Sequence, residues 1–240
     1  MQGISPLRVL LTAAATAMTL AGAALGGPLA DAEAGYERGD YASALRLFRT
    51  LANSGNSGAQ YNLGVMYENG QGVPQDDAEA AKWYRRAAEQ GQSHAQNNLA
   101  FLYHAGRGVP QDDAEAVRWY RRSAAQGDAD AQYNLGVMYA DGLGTAQDYL
   151  EARKWYRKAA DRGDPLAQYN LGVMAASGQG AAPDNVEAHL WFDLAASHTP
   201  APDAVARAKA LAGRDAVSAR MTPAQIAEAQ KLARDWKPAK

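Results

Sequence analysis

A period of 36 residues limits what this chain can fold into more than any other feature. Ala-Gln opens a related segment at Ala59, Ala95, Ala131 and Ala167, each 36 residues after the last. The residues that follow are Tyr61-Asn62-Leu63-Gly64, Asn97-Asn98-Leu99-Ala100, Tyr133-Asn134-Leu135-Gly136 and Tyr169-Asn170-Leu171-Gly172. Trp83, Trp119, Trp155 and Trp191 keep the step, each followed by Tyr or Phe, and so do Gly91, Gly127 and Gly163, with Gly55 as an earlier echo. Self-similarity at this period marks a stack in which each copy is one supersecondary unit.

Each period reads as two helices. Ala59, Leu63, Met66 and Tyr67 recur at helical spacing and give the first helix one apolar face. Gly70-Gln71-Gly72 stops it, because glycine adopts the left-handed conformation that closes a helix. After a Val-Pro turn, Asp76 and Glu79 open the second helix with a capping-box pattern that recurs at Asp112/Glu115, Asp148/Glu151 and Asp184/Glu187. Ala80, Trp83, Tyr84, Ala87 and Ala88 form its buried stripe, with the Trp assigned to the core between repeats. Neither helix alone buries its stripe, so neighbours must stack. The expected fold is an all-α, right-handed superhelical solenoid of helix-turn-helix repeats with a C-terminal helical cap. Its units are a degenerate opening repeat at 29–58, four repeats at 59–94, 95–130, 131–166 and 167–202, and capping helices in 203–240. Thr222-Pro223 places a cap residue before a proline at the first helical position of the last helix.

Composition narrows the function. The 24 Lys and Arg against 26 Asp and Glu give a formal net charge of −2, which argues against nucleic-acid binding. The absence of cysteine rules out disulfides, thiolate chemistry and Cys-based zinc sites. Residues 1–24 read as a secretory signal: Arg8 precedes an apolar stretch from Val9 to Leu25, with small residues for cleavage near Ala23 or Ala24. The alternative is an uncleaved membrane anchor, for which this stretch is short. The expected location is periplasmic or secreted.

The run Ala59–Tyr67, the Gly-x-Gly-Val at Gly70–Val73 and the Trp83-Tyr84-x-x-Ala-Ala run ending at Ala88 resemble the Sel-1-like repeat family, a relative of the tetratricopeptide repeat. The resemblance spans about residues 40–200. It implies an adaptor or regulator that holds protein partners on its inner surface. The copies depart from the pattern in three places. Ala100 replaces the Gly, Ala175 replaces the Tyr of Tyr67, and the loop Gly178–Pro183 loses its Val. Members with a disulfide in each repeat have been linked to β-lactam chemistry, and a chain without cysteine sits outside that group.

The chemistry-bearing residues point away from catalysis. The Gly-x-Gly loops follow helices and contain no Lys, unlike a phosphate loop. Asp76-Asp77 and Asp112-Asp113 are explained as caps. His94, His104, His189 and His198 have no metal-ligand spacing and read as surface or loop residues, and no Ser lies in a nucleophile motif. No cofactor and no metal are expected. The first helices carry the candidate partner-binding face: Tyr61, Asn62, Asn97, Asn98, Tyr133, Asn134, Tyr169 and Asn170. A row of side-chain amides suits the backbone of an extended peptide, though the same Asn residues could simply tie neighbouring helices together. The leading expectation is a non-enzymatic scaffold for protein partners in the bacterial envelope. The alternatives are an envelope hydrolase acting on cell wall or β-lactams, or a cell-wall glycan binder.

Overall fold

A computed structural model describes residues 27–239, so the export signal expected at 1–24 lies outside the described residues. Among those residues there are twelve α-helices and no strands. The chain divides between Asp128 and Ala129 into two units. In the first unit, α1 (Pro28–Glu37), α2 (Tyr41–Asn53), α3 (Ser57–Asn69), α4 (Asp77–Glu89), α5 (Ser93–Ala105) and α6 (Asp113–Ala125) pack in chain order, each of α1–α5 on the next. In the second, α7 (Ala129–Asp141), α8 (Tyr149–Ala160), α9 (Pro165–Ser177) and α10 (Asn185–His198) repeat that order. There α11 (Ala204–Ser218) and α12 (Pro223–Asp235) both pack on α10. The fold class is the all-α helical-repeat solenoid that the period requires.

Local chemistry sets the boundaries. The side chains of Asp76, Asp112, Asp148 and Asp184 accept bonds from backbone N–H groups in the first turns of α4, α6, α8 and α10. The expected reciprocal half of the capping box is replaced there. The cap residue's own N–H already donates to a carbonyl of the preceding helix, as in Asp76 to Tyr67 at 2.9 Å and Asp112 to Tyr103 at 3.0 Å. The freed glutamates turn to basic neighbours, as in Glu79–Lys82 and Glu115–Arg118. The full box forms at Thr222 and Gln225. Because the bond at Asp184 goes to the carbonyl of Ala175, losing the Tyr at position 175 leaves this link intact.

The first helices start two residues before the expected Ala-Gln, on caps supplied by Asn56, Gln92 and Asp164. The glutamine of Ala-Gln then works as a clamp between repeats. Gln60, Gln96 and Gln168 donate to the carbonyls of Ala52, Ala88 and Ala160 at 3.0–3.1 Å, satisfying acceptors at the ends of the preceding helices. Each also accepts a bond from a side chain 30 residues on: Gln90, Gln126 or His198.

The aromatic core differs from the sequence expectation at Trp83 and Trp155. In the first three repeats the residue after the Trp is the fully enclosed one, Tyr84, Tyr120 and Tyr156 being 0% exposed, whereas in the fourth Trp191 is 1% exposed and Phe192 4%. Trp119 and Trp191 are buried, whereas Trp83 and Trp155 are half-buried, with Arg86 and Lys158 lying over their rings at 4.5 and 4.2 Å. An amphipathic ring under a cation suits this surface position. The rings of Tyr84, Tyr156 and Phe192 lie against the glycines of Asn-Leu-Gly. A Cβ on Gly64 would stand 2.6 Å from the Tyr84 ring, and one on Gly172 would stand 2.7 Å from Phe192. Gly213 of α11 covers Phe192 from another side, so α11 docks on α10 at the end of the stack. α12 buries only Ala229 fully, and the chain beyond it runs past the end of α10, where Trp236 meets His198 at 4.9 Å, to the α8–α9 turn, where the Ala239 N–H donates to the Asp161 carbonyl at 2.6 Å.

Candidate functional site

The expected Asn and Tyr ladder is mostly buried. Asn97, Tyr133 and Asn134 are 0% exposed, Asn98 is 1%, Asn170 is 3% and Tyr61 is 9%. Asn62 and Tyr169 stay half-buried at the surface, with the Asn62 amide 3.4 Å from Glu33 and the Tyr169 ring 5.6 Å from Phe192. The reason is close approach. Alanine and glycine at positions such as Ala59, Gly64, Ala95 and Ala100 let helices pack until intervening polar side chains are enclosed and must bond to one another. The correction to the sequence reading is that these eight residues do not form an open face. Asn97 donates to Asn98 at 3.3 Å, and Asn98 donates to the Tyr84 hydroxyl at 3.2 Å. This agrees with the helix-tying alternative.

Asn98 belongs to a polar network that the repeat pattern does not reveal. The Tyr84 hydroxyl donates to Glu68 at 2.7 Å, and Glu68 is 5% exposed. Arg107 comes from the following loop, reaching Glu68 at 3.3 Å and gripping Asp77 through two bonds of 2.9 and 2.8 Å. One guanidinium thus joins two carboxylates of the preceding repeat, in the forked geometry that arginine favours. One repeat on, His104 stands where Glu68 does and meets Asp113 directly at 2.6 Å, so no bridging cation is needed. Burial is the main influence on Glu68 and raises its pKa against the opposing bonds from Tyr84 and Arg107. Burial likewise pushes Tyr84 well up.

The network gives two expected results. Asn98→Ala lowers stability by about 1–3 kcal/mol, because it removes a buried bond and leaves the Tyr84 oxygen short of a donor; urea unfolding measures this. Arg107→Ala costs about 2 kcal/mol near neutral pH. That is below the usual figure for breaking a buried pair, because the guanidinium is 35% exposed and water replaces part of it. The pH dependence of this loss follows from Glu68. A carboxyl whose folded pKa is raised holds its proton more tightly in the folded state, so its contribution weakens as pH rises through that window. Removing Arg107 raises the folded value further. The deficit of Arg107→Ala therefore shrinks on moving from pH 7.5 towards pH 5, read by urea unfolding at each pH. A deficit that grows on acidification contradicts the assignment.

The histidines are placed individually. His94 meets Asp128 at 2.7 Å, and His198 meets the Gln168 oxygen at 2.9 Å. His189 corrects the surface reading, since it is 2% exposed and burial lowers its pKa. Among the described residues, no group of three or more His, Asp or Glu is arranged to hold a metal ion. No described helix is long and apolar enough to cross a membrane.

The Sel1 repeat model matches five consecutive segments, 28–56, 57–92, 93–128, 129–164 and 165–199, the first being the opening unit. The chain belongs to the Sel1 repeat family. Repeats of this family generally mediate protein–protein interaction and are generally non-catalytic. A Sel1 repeat protein from Oxalobacter formigenes is 30% identical with a TM-score of 0.69, over 85% of this chain and 84% of that one. A protective antigen of uropathogenic Escherichia coli with an SLR fold is also 30% identical, with a TM-score of 0.55, over 88% of this chain and 52% of that one. The present chain thus spans about half of that antigen. A Sel1 repeat protein from Klebsiella pneumoniae, 22% identical with a TM-score of 0.50 over 80% of this chain and 91% of that one, shares the fold. No curated protein matches the sequence.

Proposed function

We propose that this chain is an exported, non-enzymatic scaffold that holds a protein partner on the surfaces its repeats leave open. One observation carries the reading: the distinctive polar groups of the repeat are engaged in building the stack. The Asp residues cap helices, the Gln residues clamp repeats, and Tyr84, Glu68, Asn98 and Arg107 bond to one another. Exposed second-helix side chains such as Arg86, Arg118, Arg122 and Lys154 remain available to a partner. Of the eight first-helix candidates, Asn62 and Tyr169 stay in the proposal as surface positions. Export rests on the signal-like residues 1–24, and the family supplies the protein-binding role.

Two measurements test this. The full chain expressed in a Gram-negative host is expected in the periplasmic or secreted fraction, and a version lacking residues 2–24 in the cytoplasm; equal distribution of the two removes the export claim. Cross-linking in envelope extract is expected to give a protein adduct of fixed stoichiometry. Retention of glycan with no protein adduct would replace the scaffold by a cell-wall binder.

A further inference from the structure

Repeat four differs from the first two repeats at the loop Gly178–Pro183. In the first two loops a valine follows the second glycine, and Val73 and Val109 are both half-buried, Val73 packing on the first unit's core; the third loop has a half-buried Thr145 there. Ala181 stands at that position here and is exposed. Next to it, between α8, the loop and α10, opens a groove of about 300 Å³, lined by Leu150, Arg153, Lys154, Arg157, Gly180 and Glu187. Its volume is at the lower end for ligand pockets, enough for one or two side chains. Leu150 is 60% exposed, where the equivalent residues of the two preceding repeats are Ala78 and Ala114.

The charge of the groove is as uneven as its shape. α8 carries Arg153, Lys154, Arg157 and Lys158 against Glu151 alone, in a chain whose net charge is −2. Arg153 pairs with Glu187 through Nη2, while its Nη1 is covered and has no acceptor. Lys154 and Arg157 pair with Glu151 and Asp161, but their side chains are 66% and 54% exposed. Exposed pairs one helical turn apart are weak, so an incoming carboxylate can replace either partner.

We propose that this groove is a docking site for an acidic segment of a partner protein, with an aliphatic side chain against Leu150 and flanking carboxylates on Arg157 and Lys154. The site deepens the scaffold reading and rests on it, supplying a chemistry for the partner. A cationic rim around an exposed apolar residue fits an acidic, aliphatic-bearing ligand better than a basic or purely polar one.

The test uses the full chain and a fluorescein-labelled Glu-Asp-Leu-Glu-Asp peptide, followed by anisotropy at low and raised salt. Saturable binding is expected, weakened about tenfold by Arg157→Glu and severalfold by Leu150→Ser, with the Lys-Lys-Leu-Lys-Lys peptide not bound. Both side chains are largely exposed, so circular dichroism of each variant is expected to match the parent. Absence of binding, or binding equal in parent and variants, overturns the site. Concentration-dependent dimerisation abolished by the same variants would make the occupant a second copy of this chain, and also overturns the proposal. If the groove fails here while the parent still captures its envelope partner, the scaffold reading stands without it.

Discussion

Gly108→Ala is expected to lower the melting temperature by roughly ten degrees, while Gly91→Ala, also at positive φ, costs less. Gly108 has φ +67°, and a Cβ there would stand 2.2 Å from both the carbonyl carbon and oxygen of Asp77 in the first turn of α4. Side-chain rotation cannot relieve a clash with backbone. The loop joining α5 to α6 must lift from α4, loosening the grip of Arg107 on Asp77 and Glu68. Left-handed backbone strain of about 1–2 kcal/mol and overpacking of about 1–3 combine to about 2–5 kcal/mol. A chain of this size loses roughly 2–4 °C per kcal/mol. Gly91 has φ +92° with nothing within 4 Å of its added Cβ, so only the backbone term of about 1–2 kcal/mol applies. Calorimetry of the two variants separates close approach from backbone strain; equal losses would remove the loop–helix contact from the account.

The second large effect is expected at Tyr84. Tyr84→Ala should cost about 3–5 kcal/mol, as large-to-small changes at enclosed aromatics do, and should cost more than Trp83→Ala. The Tyr84 ring is 0% exposed, lies 5.9 Å from Tyr61 and closes over Gly64, and its hydroxyl serves both Glu68 and Asn98. Truncation leaves a cavity and withdraws a donor from a buried carboxylate. Trp83 is half-buried beneath Arg86, so about 1–2 kcal/mol is expected for its removal. Chemical denaturation of both variants decides the order. A larger loss at Trp83 would restore the Trp to the centre of the core.

These contrasts show where sequence reasoning reached and where it stopped. The 36-residue period makes the helical hairpins legible, and Asp76 and its equivalents make the second-helix starts legible, because capping is local chemistry read within four residues. The identity of the enclosed ring is not local. Trp83 and Tyr84 are adjacent on one helix, and which of them turns inward depends on Gly64, 20 residues earlier, leaving space for a ring. Asn62 and Asn98 look alike in sequence, yet Asn98 is 1% exposed and bonds to Tyr84, whereas Asn62 stays at the surface beside Glu33. The Arg107 bridge is harder still to read. It exists in one repeat because Glu68 has His104, Ala140 and Ala176 as its equivalents, so repetition hides it. The loss of valine at 181 was visible, but that it leaves a groove beside Leu150 depends on packing between neighbouring repeats.

The central claim is that inner polar residues hold the stack together while an outer groove meets the partner. One comparison tests it most directly: cross-linked partner yield from envelope extract for Asn98→Ala and for the Leu150→Ser/Arg157→Glu double variant, alongside the melting temperature of each. The account predicts that Asn98→Ala melts lower yet keeps its partner at a temperature where it is folded, and that the double variant melts like the parent and loses it. Partner loss with Asn98→Ala at unchanged melting temperature, with full capture by the double variant, would contradict it and return the binding face to the first helices.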